Sequence, residues 1–218
     1  PDLMKNTPHI VVLDPAVKSA ELIAFNNLVS LSPLPLTYHL PCLQGFRSVE
    51  DEDPKLILGI VILGSLASVN DRQPWQLKLE EWLFKMMKKK IPTFGICYGH
   101  QMISHLFDGK VEFLNPDRSK EIGLRKLTLE PNVLWGKKPV TGHLYTSHEE
   151  VVTVMPKEMH VIARSDRVEI DGLAHKKLPI WTFQPHPEAT PDFLHRRGID
   201  HKNPDFTFGY RLIKNFFD

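Results

Sequence analysis

The sequence predicts an α/β fold: a three-layer sandwich with a mainly parallel central sheet and a small antiparallel β appendage. Residues 9–14 and 56–63 form near-continuous apolar runs, as expected of parallel strands that are covered on both faces. These runs alternate with stretches in which apolar side chains recur at helical spacing, the pattern of β-α units. After residue 107 the chain changes to short strands divided by turns, which indicates antiparallel strands laid against the first half.

Each element of the first half follows from a local pattern. The predicted strands are residues 9–14, 33–41 (bounded by prolines), 56–63 and 91–96, and the predicted helices are residues 17–29 and a segment that begins near Gln73-Pro74. Proline suits the first turn of a helix, where its missing N–H would have no partner. The helix after Pro74 carries apolar side chains along one face, which predicts packing on the sheet. Residues 50–53 form an acidic loop with no evident chemistry.

The second half is predicted to be mostly β structure. Short strands are expected at residues 111–114, 123–129, 151–154, 161–163 and 178–183, and a closing amphipathic helix at residues 206–217. The chain contains no internal repeat, low-complexity tract or linker. We therefore expect residues 1–218 to form a single domain.

Composition excludes several classes of partner. The chain has 218 residues, a hydrophobic fraction of 42% and a net charge of +1, so neither nucleic acid nor a membrane surface is predicted as a partner. No apolar run approaches the length of a membrane span, and residues 1–6 lack the apolar segment of a signal peptide. The two cysteines, Cys42 and Cys97, give no disulfide framework and fit a reducing compartment, which predicts a cytoplasmic protein.

Cys97 lies at the centre of the most informative segment, residues 91–101. An apolar strand ends in Gly-Ile-Cys-Tyr-Gly, and a helical segment follows at once. This is the layout of a nucleophile elbow, in which a sharp strand-to-helix turn exposes the reactive residue and flanking glycines permit close packing. A thiol at a helix N-terminus also faces the positive end of the helix dipole, which favours the thiolate. The alternative interpretation is a buried cysteine after a core strand.

A base and an orienting acid for such a thiolate are found together in residues 183–188, Phe-Gln-Pro-His-Pro-Glu. This segment follows an apolar strand, so His186 is expected at a strand end, where open α/β sheets place their sites. Glu188 would bind one ring nitrogen of His186 and leave the other for Cys97. The alternative interpretation is a turn and helix cap before Thr190.

The two segments together resemble the class I glutamine amidotransferase (triad glutaminase) family, whose members have a flavodoxin-like fold. Residues 121–123 (Glu-Ile-Gly) and 147–150 (Ser-His-Glu-Glu) also stand where this family carries short motifs. The resemblance implies that the Cys97 thiolate attacks the γ-glutamyl amide of glutamine or of another γ-glutamyl compound. His186 would move the proton, Glu188 would orient His186, and water would hydrolyse the thioester.

The resemblance also implies the other site residues. The N–H groups of Tyr98 and of the Gly64-Ser65 loop would hold the oxyanion. Gln101 would help to bind the substrate, and Ser147 and His148 would contribute to the pocket for its amino-acid end. No cofactor and no metal are predicted. The sequence departs from the family at residues 64–66, which read Gly-Ser-Leu where Gly-Gly-Pro is usual. A serine is less free than glycine to adopt a positive φ, so this loop is expected to depend on a partner or substrate for its active arrangement.

The sequence leaves the biological role open between several alternatives. Residues 95–101 also resemble the elbow of stand-alone γ-glutamyl peptidases, whereas an amidotransferase would need a separate synthetase subunit to use the ammonia. A third alternative is a non-catalytic or partner-activated subunit that binds glutamine or a synthetase partner. A cysteine hydrolase of the ThiJ/PfpI type fits less well, because that family lacks the Gln-x-His-Pro-Glu segment.

Overall fold

In residues 6–218, which it describes, the computed structural model contains eleven β-strands and six α-helices. The prediction about a signal peptide falls almost entirely on residues 1–5, which lie outside the described residues. The strands are β1 (His9–Leu13), β2 (Leu36–His39), β3 (Ile57–Ile62), β4 (Thr93–Ile96), β5 (Lys110–Phe113), β6 (Glu121–Leu129), β7 (Val140–His148), β8 (Glu150–Val154), β9 (Met159–Arg164), β10 (Gly172–His175) and β11 (Ile180–Phe183). The helices are α1 (Leu22–Leu31), α2 (Arg47–Glu50), α3 (Pro74–Lys88), α4 (Tyr98–Leu106), α5 (Pro191–Arg196) and α6 (Thr207–Phe217).

Nine strands form the central sheet in the order β2-β1-β3-β4-β11-β10-β9-β6-β7, and β5 pairs with β8 in a separate two-stranded sheet. The pairs from β2 to β11 are parallel, and every pair from β11 to β7 is antiparallel. The predicted α/β class is therefore confirmed. The antiparallel strands of the second half extend the parallel sheet, and β5 with β8 forms the small antiparallel appendage.

Successive residues of the parallel strands face two separate cores, as the pleat of a strand requires. Val11 and Ile60 pack with the apolar faces of α3 and α4, whereas Val12 and Val61 pack with α1 and α6. Helices thus cover both faces of the parallel strands, which confirms the three layers. In the described residues 6–218, no helix combines the length and apolar character needed to cross a membrane.

Helix α1 begins at Leu22, so the prediction of a helix from residue 17 was wrong. The reason is the buried carboxylate of Asp14, which accepts hydrogen bonds from the N–H groups of Ala16 (3.0 Å) and Glu21 (2.8 Å). These two bonds fold residues 16–21 into a loop at the end of β1. The loop becomes part of the cavity described below.

Strands β7 and β10 were missed by the sequence analysis. Strand β7 contains Gly142 and several polar residues, so its inward and outward positions do not alternate cleanly in hydrophobicity. Strand β10 is the four-residue segment Gly-Leu-Ala-His, which lacks the β-branched residues that mark strands. Strand β10 has antiparallel partners on both sides, β9 and β11, and β7 pairs with β6 along its whole length. These are long-range contacts that a local sequence pattern does not reveal.

Within the acidic segment at residues 50–53, Glu50 ends α2 and Glu52 has a structural role that the sequence did not reveal. The side chain of Glu52 is 9% exposed and lies between two histidines: one carboxylate oxygen lies 2.6 Å from His9 Nε2 and the other 2.9 Å from His39 Nε2. Burial alone would raise the pKa of Glu52, but the hydrogen bonds and charges of His39 and His9 outweigh it and hold the pKa below 4.5. The carboxylate therefore ties the edge strand β2 to β1.

Replacement Glu52→Gln is expected to lower the free energy of unfolding by about 2 kcal/mol at pH 7, because hydrogen bonds to a buried charge are lost. Since the folded-state pKa is lowered, this stabilisation is present above pH 4.5 and is lost as pH falls through the folded-state value. Urea unfolding at several pH values measures it, with exposed Glu50→Gln as the matched control. A difference from the wild type that does not shrink on acidification would contradict the assignment.

Candidate active site

Cys97 stands on the predicted elbow between β4 and α4. Its backbone has φ 52° and ψ −101°, a conformation that costs a non-glycine residue energy and is held by the surrounding structure. A Cβ at Gly99 would lie 2.5 Å from the carbonyl oxygen of Ile62, and one at Gly95 would lie 2.8 Å from the carbonyl of Gly99. Both glycines are thus required for strand and helix to approach this closely, which confirms the expected strand–turn–helix geometry.

His186 and Glu188 follow the end of the neighbouring strand β11. His186 Nδ1 lies 2.5 Å from a Glu188 carboxylate oxygen, and the His186 backbone N–H donates to the carbonyl of Tyr145 at 2.8 Å. Both residues are buried, with exposed fractions of 6% for His186 and 4% for Glu188. The cap of α5 is Thr190 and not residues 186–188, which the alternative interpretation expected to form it, and His186 and Glu188 both line the cavity.

Helices α1 and α6 clamp this segment from behind. Asn27 donates to the carbonyl of Glu188 at 3.2 Å, and the Tyr210 hydroxyl donates to the carbonyl of Ala189 at 2.7 Å. Gly209 permits the contact, because a Cβ there would overlap the backbone of Pro187. The histidine and glutamate are therefore positioned by elements from both ends of the chain.

The charge of His186 is set by its two neighbours. Burial alone would lower the pKa of His186, but the Glu188 carboxylate and then the Cys97 sulfur outweigh it and raise the pKa to about 10. Among the described residues Nε2 has no hydrogen bond of standard geometry, although the Cys97 sulfur acts on its charge. The arrangement therefore favours an imidazolium at His186, beside the Cys97 sulfur.

Cys97, His186 and Glu188 line one cavity of about 610 Å³. Its walls are the β1–α1 loop, the loop after β3, the end of β7 with the start of β8, and the segment from residue 186 to residue 197. The cavity therefore lies at the carboxyl ends of the parallel strands, as in other open α/β sheets. It also contains Gly64, Ser65, Gln101, Ser147 and His148.

The loop after β3 lies against the side chains of His186 and Cys97. A Cβ at Gly64 would lie 3.1 Å from His186 Cε1 and 3.5 Å from Cys97 Cβ, so only glycine leaves this space open. Ser65 is not among the described non-glycine residues with positive φ. Its hydroxyl donates to the carbonyl of Pro15 at 2.7 Å and accepts from the N–H of Ala67 at 3.0 Å. Serine therefore fixes this loop to the β1–α1 loop through its side chain.

The remaining predicted residues differ in their placement. Gln101, Ser147 and His148 all line the cavity. The side chain of Gln101 donates to the carbonyl of Glu150 at 2.9 Å. The carbonyl oxygen of Ser147 lies 3.9 Å from the Cys97 sulfur. The side chain of Tyr98 is directed away into the core, where its hydroxyl accepts from Gln76 at 2.9 Å, so only its backbone belongs to the site.

Sequence reasoning gave no role to Gln184, which donates from its side-chain amide to the Cys97 sulfur at 3.5 Å. It also accepts from the side chain of Gln101 at 3.2 Å. A hydrogen-bond donor at the sulfur stabilises the thiolate form. The signal that could have found it is its place two residues before His186, in a run that ends a buried strand.

A buried charge pair behind His148 was also missed. Arg125 lies 2.8 Å from Asp171 through one guanidinium nitrogen and 2.8 Å from His148 Nε2 through another. Burial first, and then the positive charge of Arg125, lower the pKa of His148 to about 3, so this imidazole is neutral. Its Nδ1 then donates to the carbonyl of Glu150 at 3.0 Å. The signal was a charged residue at an inward position of β6.

Comparison with known sequences adds family evidence to this geometry. A profile of the family "Glutamine amidotransferase class-I" matches residues 43–199. The glutamine-hydrolysing GMP synthase 1 of Bacteroides thetaiotaomicron is 33% identical over 146 residues, which are 66% of this chain and 27% of that protein. A shorter relative, a glutamine-hydrolysing GMP synthase subunit of Methanopyrus kandleri, is 33% identical over 110 residues, 48% of this chain and 58% of that relative.

A solved structure supports the fold. A glutamine amidotransferase from Thermotoga maritima superimposes with a TM-score of 0.72 at 17% identity, covering 95% of this chain and 96% of that one. The present chain spans only 27% to 36% of the length of the first GMP synthases that it matches.

Proposed function

The chain belongs to the class-I glutamine amidotransferase family, and from this premise we propose that it hydrolyses the γ-glutamyl amide bond of glutamine or of a γ-glutamyl compound. The catalytic residues are Cys97, His186 and Glu188. The observation that carries the proposal is the 2.5 Å contact of Glu188 with His186 in the cavity that also holds the strained Cys97. This is the order of acid, base and nucleophile that a triad requires.

The Cys97 thiolate attacks the amide carbon, and the C–N bond breaks as His186 gives its proton to the leaving nitrogen. Glu188 holds the imidazole in the orientation and tautomer that present Nε2 to the sulfur. Gln184 stabilises the thiolate before attack through its 3.5 Å hydrogen bond. Water then adds to the γ-glutamyl thioester with His186 as base, which releases glutamate and restores the cysteine.

The negative charge on the tetrahedral intermediate is stabilised by backbone N–H groups, those of Tyr98 and of the Gly64-Ser65 loop. Tyr98 is the first residue of α4, where N–H groups have no partner within the helix and the dipole favours an anion. The hydrogen bond of the Ser65 hydroxyl to Pro15 holds the loop without need of a positive φ. The family's usual Gly-Gly-Pro is therefore replaced by a side-chain tether.

The amino-acid end of the substrate is assigned to the wall formed by Gln101, Ser147 and His148. Glu149 and Glu150 line the same wall and offer carboxylates to an ammonium group. His148 is neutral and fixed by Arg125, so it serves as an oriented polar contact rather than as a second base.

The test is to incubate the full chain with glutamine and with a panel of γ-glutamyl dipeptides, and to follow the release of ammonia or amine. We expect release by the wild type and none above background by Cys97→Ala. No release from any substrate would overturn stand-alone hydrolysis and would favour a partner-activated subunit. In that case a synthetase that raises turnover on addition, as the resemblance to GMP synthases suggests, would identify the partner.

Replacement Gly64→Ala is expected to lower kcat/KM by about 10-fold to 100-fold, since a Cβ 3.1 Å from His186 displaces the reacting groups by a few tenths of an ångström. Gly59→Ala is the matched control, because its Cβ would meet neighbours at an ordinary 3.5 Å. Steady-state kinetics and thermal melting measure both variants. Equal activity in the two variants would contradict the expected displacement of the reacting groups, and so would a loss of activity that matches the unfolded fraction of Gly64→Ala.

A further inference from the structure

An arginine that has no carboxylate partner among the described residues lies beside the histidine of the site. Arg197, the residue after α5, lines the cavity, and its guanidinium carbon is 3.6 Å from the centroid of the Phe193 ring. The Phe193 ring in turn contacts the His186 ring, with 4.7 Å between centroids. Phe193 is thus packed between the imidazole and the guanidinium.

The neighbouring arginine, Arg196, is by contrast paired with carboxylates. Arg196 forms ion pairs with Glu21 at 2.5 Å and with Asp192 at 2.8 Å. Arg197 makes no ion pair with any carboxylate in residues 6–218, and its described hydrogen bond is to the carbonyl of Phe193 at 3.4 Å. The carboxylates of Glu21 and Glu188 line the same cavity and act on the charge of Arg197, but neither forms an ion pair with it. The half-buried guanidinium therefore keeps donors that an incoming carboxylate can bind.

The position of Arg197 indicates which part of a substrate it meets. His186 must give its proton to the leaving nitrogen, so the leaving group occupies the side of the cavity that His186 forms. Phe193 and Arg197 belong to this side, because the Phe193 ring packs on the imidazole. The amino-acid end was assigned to a different part of the cavity wall, at Gln101 and His148.

We propose that Phe193 and Arg197 form a subsite for a leaving group that carries a carboxylate, so that the preferred substrates are γ-glutamyl amino acids or peptides. The inference rests on the proposed function. Attack by Cys97 breaks the γ-glutamyl C–N bond, the nitrogen receives the His186 proton, and the departing amino acid keeps its carboxylate on Arg197. Glutamine releases ammonia, which offers nothing for this guanidinium to bind.

The experiment compares γ-glutamyl-alanine with γ-glutamyl-alaninamide, which differ only in the carboxylate. For the wild type we expect kcat/KM to favour the acid by about 10-fold or more, the effect of one charge-assisted contact. This preference falls to near one in Arg197→Met and is partly restored in Arg197→Lys. Arg211→Met, which removes an exposed cation outside the cavity, is the control and keeps the preference of the wild type.

The same two ligands are titrated calorimetrically into Cys97→Ala, with and without Arg197→Met, so that binding is measured without turnover. If neither compound is cleaved, the proposed hydrolysis fails, while the binding preference still decides the role of Arg197. The subsite is overturned if the wild type does not distinguish acid from amide, or if Arg197→Met weakens both equally. It is also overturned if the preference depends instead on Lys18 or Lys120, the exposed lysines of the cavity.

Discussion

Replacement of Cys97 by alanine is expected to lower the rate of γ-glutamyl cleavage by about 10⁴-fold or more, because no thioester can form. The residue lies on a backbone with φ 52°, its sulfur accepts a hydrogen bond from Gln184, and its side chain lines the cavity. Release of ammonia or amine from the best substrate of the panel measures the loss. The thermal midpoint should change little, since alanine keeps the Cβ and leaves the elbow glycines in place.

The second cysteine supplies the matched control. Cys42 is half-buried and lies outside the cavity, so Cys42→Ser should retain the activity of the wild type. A γ-glutamyl electrophile should add once to the wild type and to Cys42→Ser, and should not add to Cys97→Ala, as intact-mass spectrometry would show. Turnover that persists in Cys97→Ala, or modification at Cys42 alone, would exclude Cys97 as the nucleophile.

The parallel half of the fold could be predicted because its strands are buried on both faces. Continuous apolar runs such as residues 56–63 leave few other structures open, and the elbow at Cys97 follows from glycines at both sides of a sharp turn. The antiparallel half was predicted only in outline. Strand β7 is held by nine register pairs with β6, a long-range partnership that the mixed polarity of its own sequence does not announce.

The chain's loops were the hardest part to predict, and they form most of the cavity wall. The loop at residues 16–21 replaces the first turn and a half of the expected α1 because the Asp14 carboxylate captures two backbone N–H groups. Ser65 was expected to disturb the loop after β3 through its backbone. Its hydroxyl instead binds Pro15 in that same neighbouring loop, a contact over 50 residues of sequence. Hydrogen bonds of this range cannot be read from local patterns.

Buried polar networks were missed for the same reason. Arg125 comes from β6, Asp171 from the turn before β10, and His148 from the end of β7. Each of these residues looks ordinary within its own segment, although they are in contact in the fold. Burial raises the pKa of Asp171 to about 6, even against the lowering charge of Arg125. Only the assembled sheet brings these three groups together, so sequence analysis reached His148 through family resemblance without finding what holds it.

Replacement Glu188→Gln is expected to lower kcat/KM by about 10³-fold at pH 7, since the amide keeps the shape of the side chain but cannot stabilise an imidazolium. Glu188 is the first group that raises the pKa of His186, to about 10 in the wild type. Without that carboxylate the pKa of His186 falls, and the thiolate loses its cationic partner at lower pH. The alkaline limb of the pH–rate profile should therefore move to lower pH in the variant.

Glu188→Gln should also make the free energy of unfolding depend less on pH. His186 has a folded-state pKa above its usual 6.5, so the charged pair contributes full stability below pH 6.5, and this contribution is lost as pH rises towards about 10. Urea unfolding at pH 6, 8 and 10 should show the wild type losing stability over this range and Glu188→Gln losing less. The exposed Glu169→Gln serves as control and should follow the wild type. Parallel curves for Glu188→Gln and the wild type would mean that Glu188 does not hold the charge of His186, and the assignment of the two residues as acid and base would fail with it.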